Sequence, residues 1–189
     1  MMNKNIEEHI KALESLQHDL IPLSVGKSLI KETLKSENTI YVAGNGGSCA
    51  TASHLVGEIV GKFMTTRRGY PSVDLTANNT VITAIGNDFG FKEIFSRQLE
   101  AMGESGDLFI GFTTSGNSEN IIEAIKVAKK KGMRTIIITG STGGTMQYLD
   151  GINFIKVASD STPVIQVVHD LIMHELAYAV DEFDAKKSV

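Results

Sequence analysis

The chain has 189 residues, 42% of them hydrophobic, and a mean hydropathy near zero, which suits one soluble domain with a sizeable core. A net charge of −4 and an isoelectric point near 5.7 argue against a nucleic-acid binder, since such proteins are usually basic. The lone Cys49 excludes an internal disulfide framework and fits a reducing cytoplasm. No apolar run approaches the roughly 20 residues that span a bilayer, and "MMNKNIEEHIKALES" has no signal-peptide character.

In chain order, Ile6, Ile10, Leu13, Leu16 and Leu20 recur every three or four residues and predict a helix with one apolar stripe. Pro22 is expected to end or kink it, and a second helix is expected from about Val25 to Lys35. Five short β-rich runs follow: "TIYVAG", "PSVDLT", "DLFIGFTT", "TIIITG" and "NFIKVA". Helical patterns at about Ala50–Met64, Lys92–Met102, Ser118–Lys131 and Pro163–Asp184 separate most of them. Strands alternating with helices imply an α/β fold, with a parallel sheet covered by helices on both faces. Ligands bind such sheets at the carboxyl ends of the strands.

Two strand-to-helix loops stand out: "AGNGGS" (Ala43–Ser48) and "TTSGNS" (Thr113–Ser118). Glycines let backbone amides approach a ligand closely, and a helix start adds unpaired N–H groups and partial positive charge. The hydroxyls of Ser48, Thr113, Thr114, Ser115 and Ser118 supply further donors, so the pair suits a phosphate or a phosphorylated sugar. The plainer alternative is two tight turns with a serine at the helix N-cap. Neither loop matches the Walker or G-x-G-x-x-G pattern, which disfavours a nucleotide.

His54 and Glu58 are neighbours at i and i+4 on a helix. The final helix is apolar nearly all round and is expected to be buried, yet it carries Gln166, His169, Asp170 and His174. Buried polar groups need partners. His169 is the best candidate for a satisfied core residue. Gln166 and His174 with His54 and Glu58 make either a divalent-metal set or an acid–base pair. Asn87 and Asp88 read as a turn before a helix. Cys49 reads as a small packed residue rather than a reactive thiol.

Taken together, "GNGGS", "HLVGE", "AIGNDFGF", "TSGNS", "GGTM" and the final Gln166 and His174 resemble, in order and spacing, the bacterial sedoheptulose-7-phosphate isomerases of the sugar isomerase (SIS) superfamily. The resemblance covers nearly the whole chain. It implies a three-layer, doubly wound, flavodoxin-like sheet in a single SIS domain over residues 1–189, with residues about 1–36 as oligomerisation helices of a cytoplasmic homotetramer. It also implies an activity, interconversion of sedoheptulose 7-phosphate and D-glycero-D-manno-heptose 7-phosphate on the way to heptose in surface polysaccharide such as lipopolysaccharide. Glu58 and His174 would be the catalytic pair, and His54, Glu58, Gln166 and His174 would match zinc ligands. Asn45, Gly46, Gly47, Ser48, Asn87, Asp88, Thr113, Thr114, Ser115, Ser118 and Gln166 would hold the sugar phosphate. Neither nucleic acid nor membrane is an expected partner.

The chain departs from the family pattern at Val164 and Val167 around Gln166, at Arg67-Arg68-Gly69, and at Lys62, which cannot fork like arginine. Alternatives are a non-catalytic SIS scaffold, similar to the replication-initiator-binding regulator of bacteria, a sugar-phosphate-sensing module, and an isomerase of another phosphosugar.

Overall fold

The computed structural model describes residues 2–186, with side chains from residue 4; residue 1 and residues 187–189 of the expected domain lie outside the described residues. Five strands form one parallel sheet: β1 (Ile40–Gly44), β2 (Ser72–Asp74), β3 (Leu108–Thr113), β4 (Arg134–Thr139) and β5 (Asn153–Lys156). Their spatial order is β2-β1-β3-β4-β5. Registers such as Val42 opposite Ile110 and Ile138 opposite Ile155 align the apolar positions. The central strands β1 and β3 are buried at every residue, as continuous apolar runs demand when both faces are covered. The edge strands β2 and β5 are short and only partly buried.

Alternate strand residues feed two cores. Ile40, Val42, Ile110, Phe112 and Ile138 pack with α1 (Met2–His18), α2 (Ile21–Lys35), α3 (Gly47–Val60) and α7 (Thr162–Ala185). Tyr41, Ala43, Phe109 and Ile137 face the other way, towards α4 (Asn79–Phe89), α5 (Ser96–Met102) and α6 (Glu119–Lys130). The chain leaving β1 therefore enters a helix on one face, and the chain leaving β3 enters a helix on the other. That divergence opens a crevice at the carboxyl ends of two adjacent strands, where open α/β sheets bind ligands.

The sequence expectations need several corrections. Pro22 does not end the first helix; it sits in the first turn of α2, where its missing N–H is harmless and its φ is pre-set. The helix expected at Ala50–Met64 starts three residues earlier and stops at Val60. The single helix expected at Lys92–Met102 is a 3-10 turn at Phe91–Glu93 followed by the short α5. Helix α4 was not anticipated at all. Its run "NTVITAIGNDF" is rich in β-branched residues of weak helix propensity. The side chain of Asn78 caps its start by accepting from Val81 N at 3.2 Å. Asn87 and Asp88 thus end one helix rather than forming a turn before another.

The N-terminal stripe splits. Leu16 is buried and Leu13 packs on the core, while Ile6, Ile10 and Leu20 are each about half exposed. Helix α7 is likewise buried along most of its length but leaves Val167, Leu171 and Tyr178 in the open. No helix is long and apolar enough to cross a membrane among the described residues.

Candidate functional site at the carboxyl ends of β1 and β3

A cleft of about 290 Å³ opens where the crevice was expected, lined by Asn45, Gly46, Gly47, Ser48, Phe112, Thr113, Thr114, Ser118, Thr162 and Gln166. Two glycines shape it. Gly46 adopts a φ of 56°, which side-chain-bearing residues rarely take. At Gly47 a Cβ would collide with the Gln166 amide, so glycine is what lets α7 approach the loop. The serine N-cap alternative does not describe these loops. Ser118 occupies the N-cap of α6 but makes no capping bond; its hydroxyl lies 3.2 Å from Thr113 Oγ1. Gly46, not serine, precedes α3.

Asn45 and Asn120 clasp each other across the two loops, each amide donating to the other at 2.9 and 2.8 Å. Sequence reading passed over Asn120, because a polar residue in the first turn of a helix reads as ordinary capping chemistry; its burial is what marks it. Ser115 stands exposed at the loop tip, where its hydroxyl accepts from Asn117 N at 3.2 Å.

From the cleft, α3 and α7 run side by side and carry a series of polar contacts. Gly47 meets Gln166 at the loop end. One step on, Thr51 Oγ1 donates to Asp170 at 2.6 Å. Further along, His54 Nε2 lies 3.0 Å from Glu58 Oε1, and the His54 and His174 rings meet edge to face with centroids 5.1 Å apart. Phe63 stacks nearly parallel to the His174 ring, at an interplanar angle of 12° with centroids 5.5 Å apart. Sequence reading gave Thr51 no role, placed Phe63 on the apolar face of its helix and named Asp170 only among the polar residues of the final helix; the pairing of α3 with α7 shows what each meets.

His54, Glu58 and His174 are thus brought together, and Asn45, Gly46, Gly47, Ser48, Thr113, Thr114, Ser118 and Gln166 form the cleft. Asn87 and Asp88 line neither; they are exposed at the end of α4, where Asn87 Nδ2 donates to Asp88 Oδ1 at 2.8 Å. Two imidazoles, a carboxylate and an amide are donors that suit a divalent ion of borderline softness. Holding an ion would need these side chains to close on it, since no three His, Cys, Asp or Glu side chains are grouped to hold a metal among the described residues.

His169 is a core residue, but not a satisfied one. It is fully buried against Phe112, and neither ring nitrogen forms a well-shaped hydrogen bond. Burial pushes its pKa down to about 4, against smaller opposing pulls from the Thr139 backbone and the Asp170 charge. A group whose folded pKa lies below its unfolded value of about 6.5 costs stability as the unfolded chain takes up protons first. Its effect is absent above about pH 6.5 and grows as pH falls towards 4, reaching about 3 kcal/mol. Urea unfolding across that range should show the decline, and His169→Leu should make it shallower; parallel curves for the two proteins would contradict the assignment.

Comparison with known proteins agrees with this geometry. The SIS domain family matches residues 3–140. The chain is 45% identical over 171 residues to a phosphoheptose isomerase of Aliarcobacter butzleri, covering 90% of this chain and 88% of that one. It is 46% identical over 178 residues to the phosphoheptose isomerase of Aneurinibacillus thermoaerophilus, covering 94% and 88%. Among solved structures, a phosphoheptose isomerase from Francisella tularensis superposes with a TM-score of 0.91 at 33% identity, over 96% of each chain. With sheet order, family match and relatives all in agreement, the chain belongs to the phosphoheptose isomerase family of SIS-domain proteins.

Proposed function

We propose that this chain is the aldose–ketose isomerase that interconverts sedoheptulose 7-phosphate and D-glycero-D-manno-heptose 7-phosphate, in the cytoplasm, supplying heptose for surface polysaccharide such as lipopolysaccharide. The observation that carries the reading is one seam between α3 and α7 with a hydroxyl-rich cleft at one end and His54, Glu58 and His174 towards the other. Gln166 and His174 are eight residues apart, about 12 Å along a helix. That spacing fits a substrate with its phosphate at one end and its carbonyl at the other.

In this reading the loop amides and the hydroxyls of Ser48, Thr113, Thr114, Ser115 and Ser118 hold the phosphate, with Asn45, Gly46, Gly47 and Gln166 beside them. Asn87 and Asp88 are assigned to the sugar by resemblance alone. Glu58 removes the proton from one of C1 and C2 and returns it to the other through an enediol. His174 protonates and stabilises the oxygen that gains charge. Phe63 keeps the imidazole in the orientation this requires. No redox cofactor is needed, because the aldose and ketose have the same oxidation level overall.

His54, Glu58, Gln166 and His174 are the residues that would hold zinc, one ion per subunit. Bound there, zinc would supply Lewis-acid polarisation of the substrate oxygens. Zinc titration by calorimetry should give one site per chain, and a panel of C5–C7 ketose phosphates assayed with and without chelator should favour the C7 substrate. No heat of binding would leave an acid–base site without metal, and preference for a shorter sugar would overturn the substrate assignment. Placement of His54, Glu58 and His174 together disfavours the non-catalytic scaffold.

The half-exposed Ile6, Ile10 and Leu20 of the N-terminal region and the open Val167, Leu171 and Tyr178 of α7 support assembly as a homotetramer. Light scattering at micromolar concentration should give four times the 20.4 kDa chain mass; a monomer would defeat the assembly.

A further inference from the structure

We propose that Arg67 is a positioning residue for Glu58, fixing the end of α3 that carries the catalytic carboxylate against the helix that carries His174. The inference rests on the acid–base reading above. The last turn of a helix leaves its carbonyls without intrahelical partners, and Glu58 lies in the last turn of α3. Arg67 takes up two of them. Its Nη2 donates to Glu58 O at 2.6 Å and its Nη1 to Ile59 O at 3.0 Å. Its Nε donates to Asp181 Oδ1 on α7 at 2.6 Å. The Arg67 side chain is wholly buried.

The other oxygen of Asp181 accepts from Met64 N at 2.9 Å and Thr65 N at 3.0 Å, which ties down the chain as it leaves α3. Asp181 lies seven residues, two helical turns, beyond His174 on α7. One rigid path therefore runs from the Glu58 backbone through Arg67 and Asp181 to the helix of its catalytic partner. The task needs a planar fork with separate N–H groups aimed at three acceptors; a lysine ammonium reaches Asp181 but cannot also span both carbonyls. A cation at a helix C-terminus also complements the helix dipole. Tyr70 N still holds Ile59 O at 3.2 Å, so loss of the fork releases the Glu58 carbonyl in particular, and small misplacement of a catalytic group is expensive in rate.

Steady-state kinetics and thermal unfolding of the intact protein test this, using Arg67→Lys, Asp181→Asn and, as reference, Glu58→Gln. Arg67→Lys should lower kcat by about 10–100-fold with KM little changed, and Arg67→Gln, a second variant in case lysine does not fold, should do the same. Asp181→Asn leaves both carbonyl contacts of Arg67 available, so it should lower the melting temperature more than Arg67→Lys does and kcat less. A merely structural Arg67 would instead make kcat follow the melting temperature across the series, which would overturn the proposal. An inactive Glu58→Gln beside an unimpaired Arg67→Lys overturns the positioning role alone. An active Glu58→Gln overturns the acid–base reading, and the positioning role with it.

Discussion

Glu58→Gln should lower turnover by about 10²–10⁴-fold, the range typical of a general acid–base group. The amide keeps the size and hydrogen-bonding shape of the carboxylate, so it can still meet His54 Nε2, which lies 3.0 Å from Glu58 Oε1 in the wild type. It cannot accept a carbon-bound proton. His174→Asn should cost a similar factor, because it removes the imidazole that Phe63 and His54 hold in place. The double variant should lose little beyond the worse single one, since two groups that move one proton act as a unit. Sugar-phosphate binding should persist, because the cleft formed by Asn45, Gly46, Gly47, Ser48, Thr113, Thr114 and Ser118 is untouched. Exchange of solvent deuterium into C1 or C2 should disappear with Glu58→Gln. A variant with wild-type turnover would sink the isomerase reading and restore the scaffold.

Asp181→Ala should destabilise the fold by about 3–5 kcal/mol, the range for removing one partner of a buried ion pair. The change would strand the Arg67 guanidinium, which has no exposed side-chain surface, and leave the Met64 and Thr65 amides without their acceptor. Burial alone would raise the Asp181 pKa, but the Arg67 hydrogen bond and the two amides outweigh it and hold the carboxyl below its ordinary value. The sign follows: its contribution is fully present above the unfolded carboxylate pKa and is lost as pH falls through the folded one. Chemical denaturation at pH 7, at matched protein concentration, measures the loss. A deficit below about 1 kcal/mol, the worth of a surface pair, would show that this pair is not what joins α3 to α7.

Both residues show how legible different parts of the molecule were. His54 and Glu58 could be found from their spacing, because i and i+4 are neighbours on any helix. Arg67 and Asp181 are 114 positions apart, and nothing local marks either as a partner. The Arg67-Arg68-Gly69 run drew notice only as a departure from a family pattern. Asn87 and Asp88 were noticed as residues, but their helix was not, because Val81, Ile82 and Thr83 weaken the helical signal that Asn78 restores by capping.

By itself the sequence determined the elements whose signal is local and periodic. The five β-rich runs became the five strands, and the continuous apolar ones, β1 and β3, are those covered on both faces. The two glycine- and hydroxyl-rich loops could be read as a candidate anion site, because backbone freedom and donor chemistry are properties of the residues themselves. Tertiary structure decided the rest. It set the order β2-β1-β3-β4-β5, which puts the loops after β1 and β3 side by side. It laid α7 along α3, so that Gln166 meets Gly47, Asp170 meets Thr51, His174 meets His54 and Asp181 meets Arg67. It buried His169 without a well-formed hydrogen bond and left Ile6 and Val167 in the open. Those outcomes depend on which surfaces meet after more than a hundred residues of intervening chain, and a side chain's type does not specify the partner it will face.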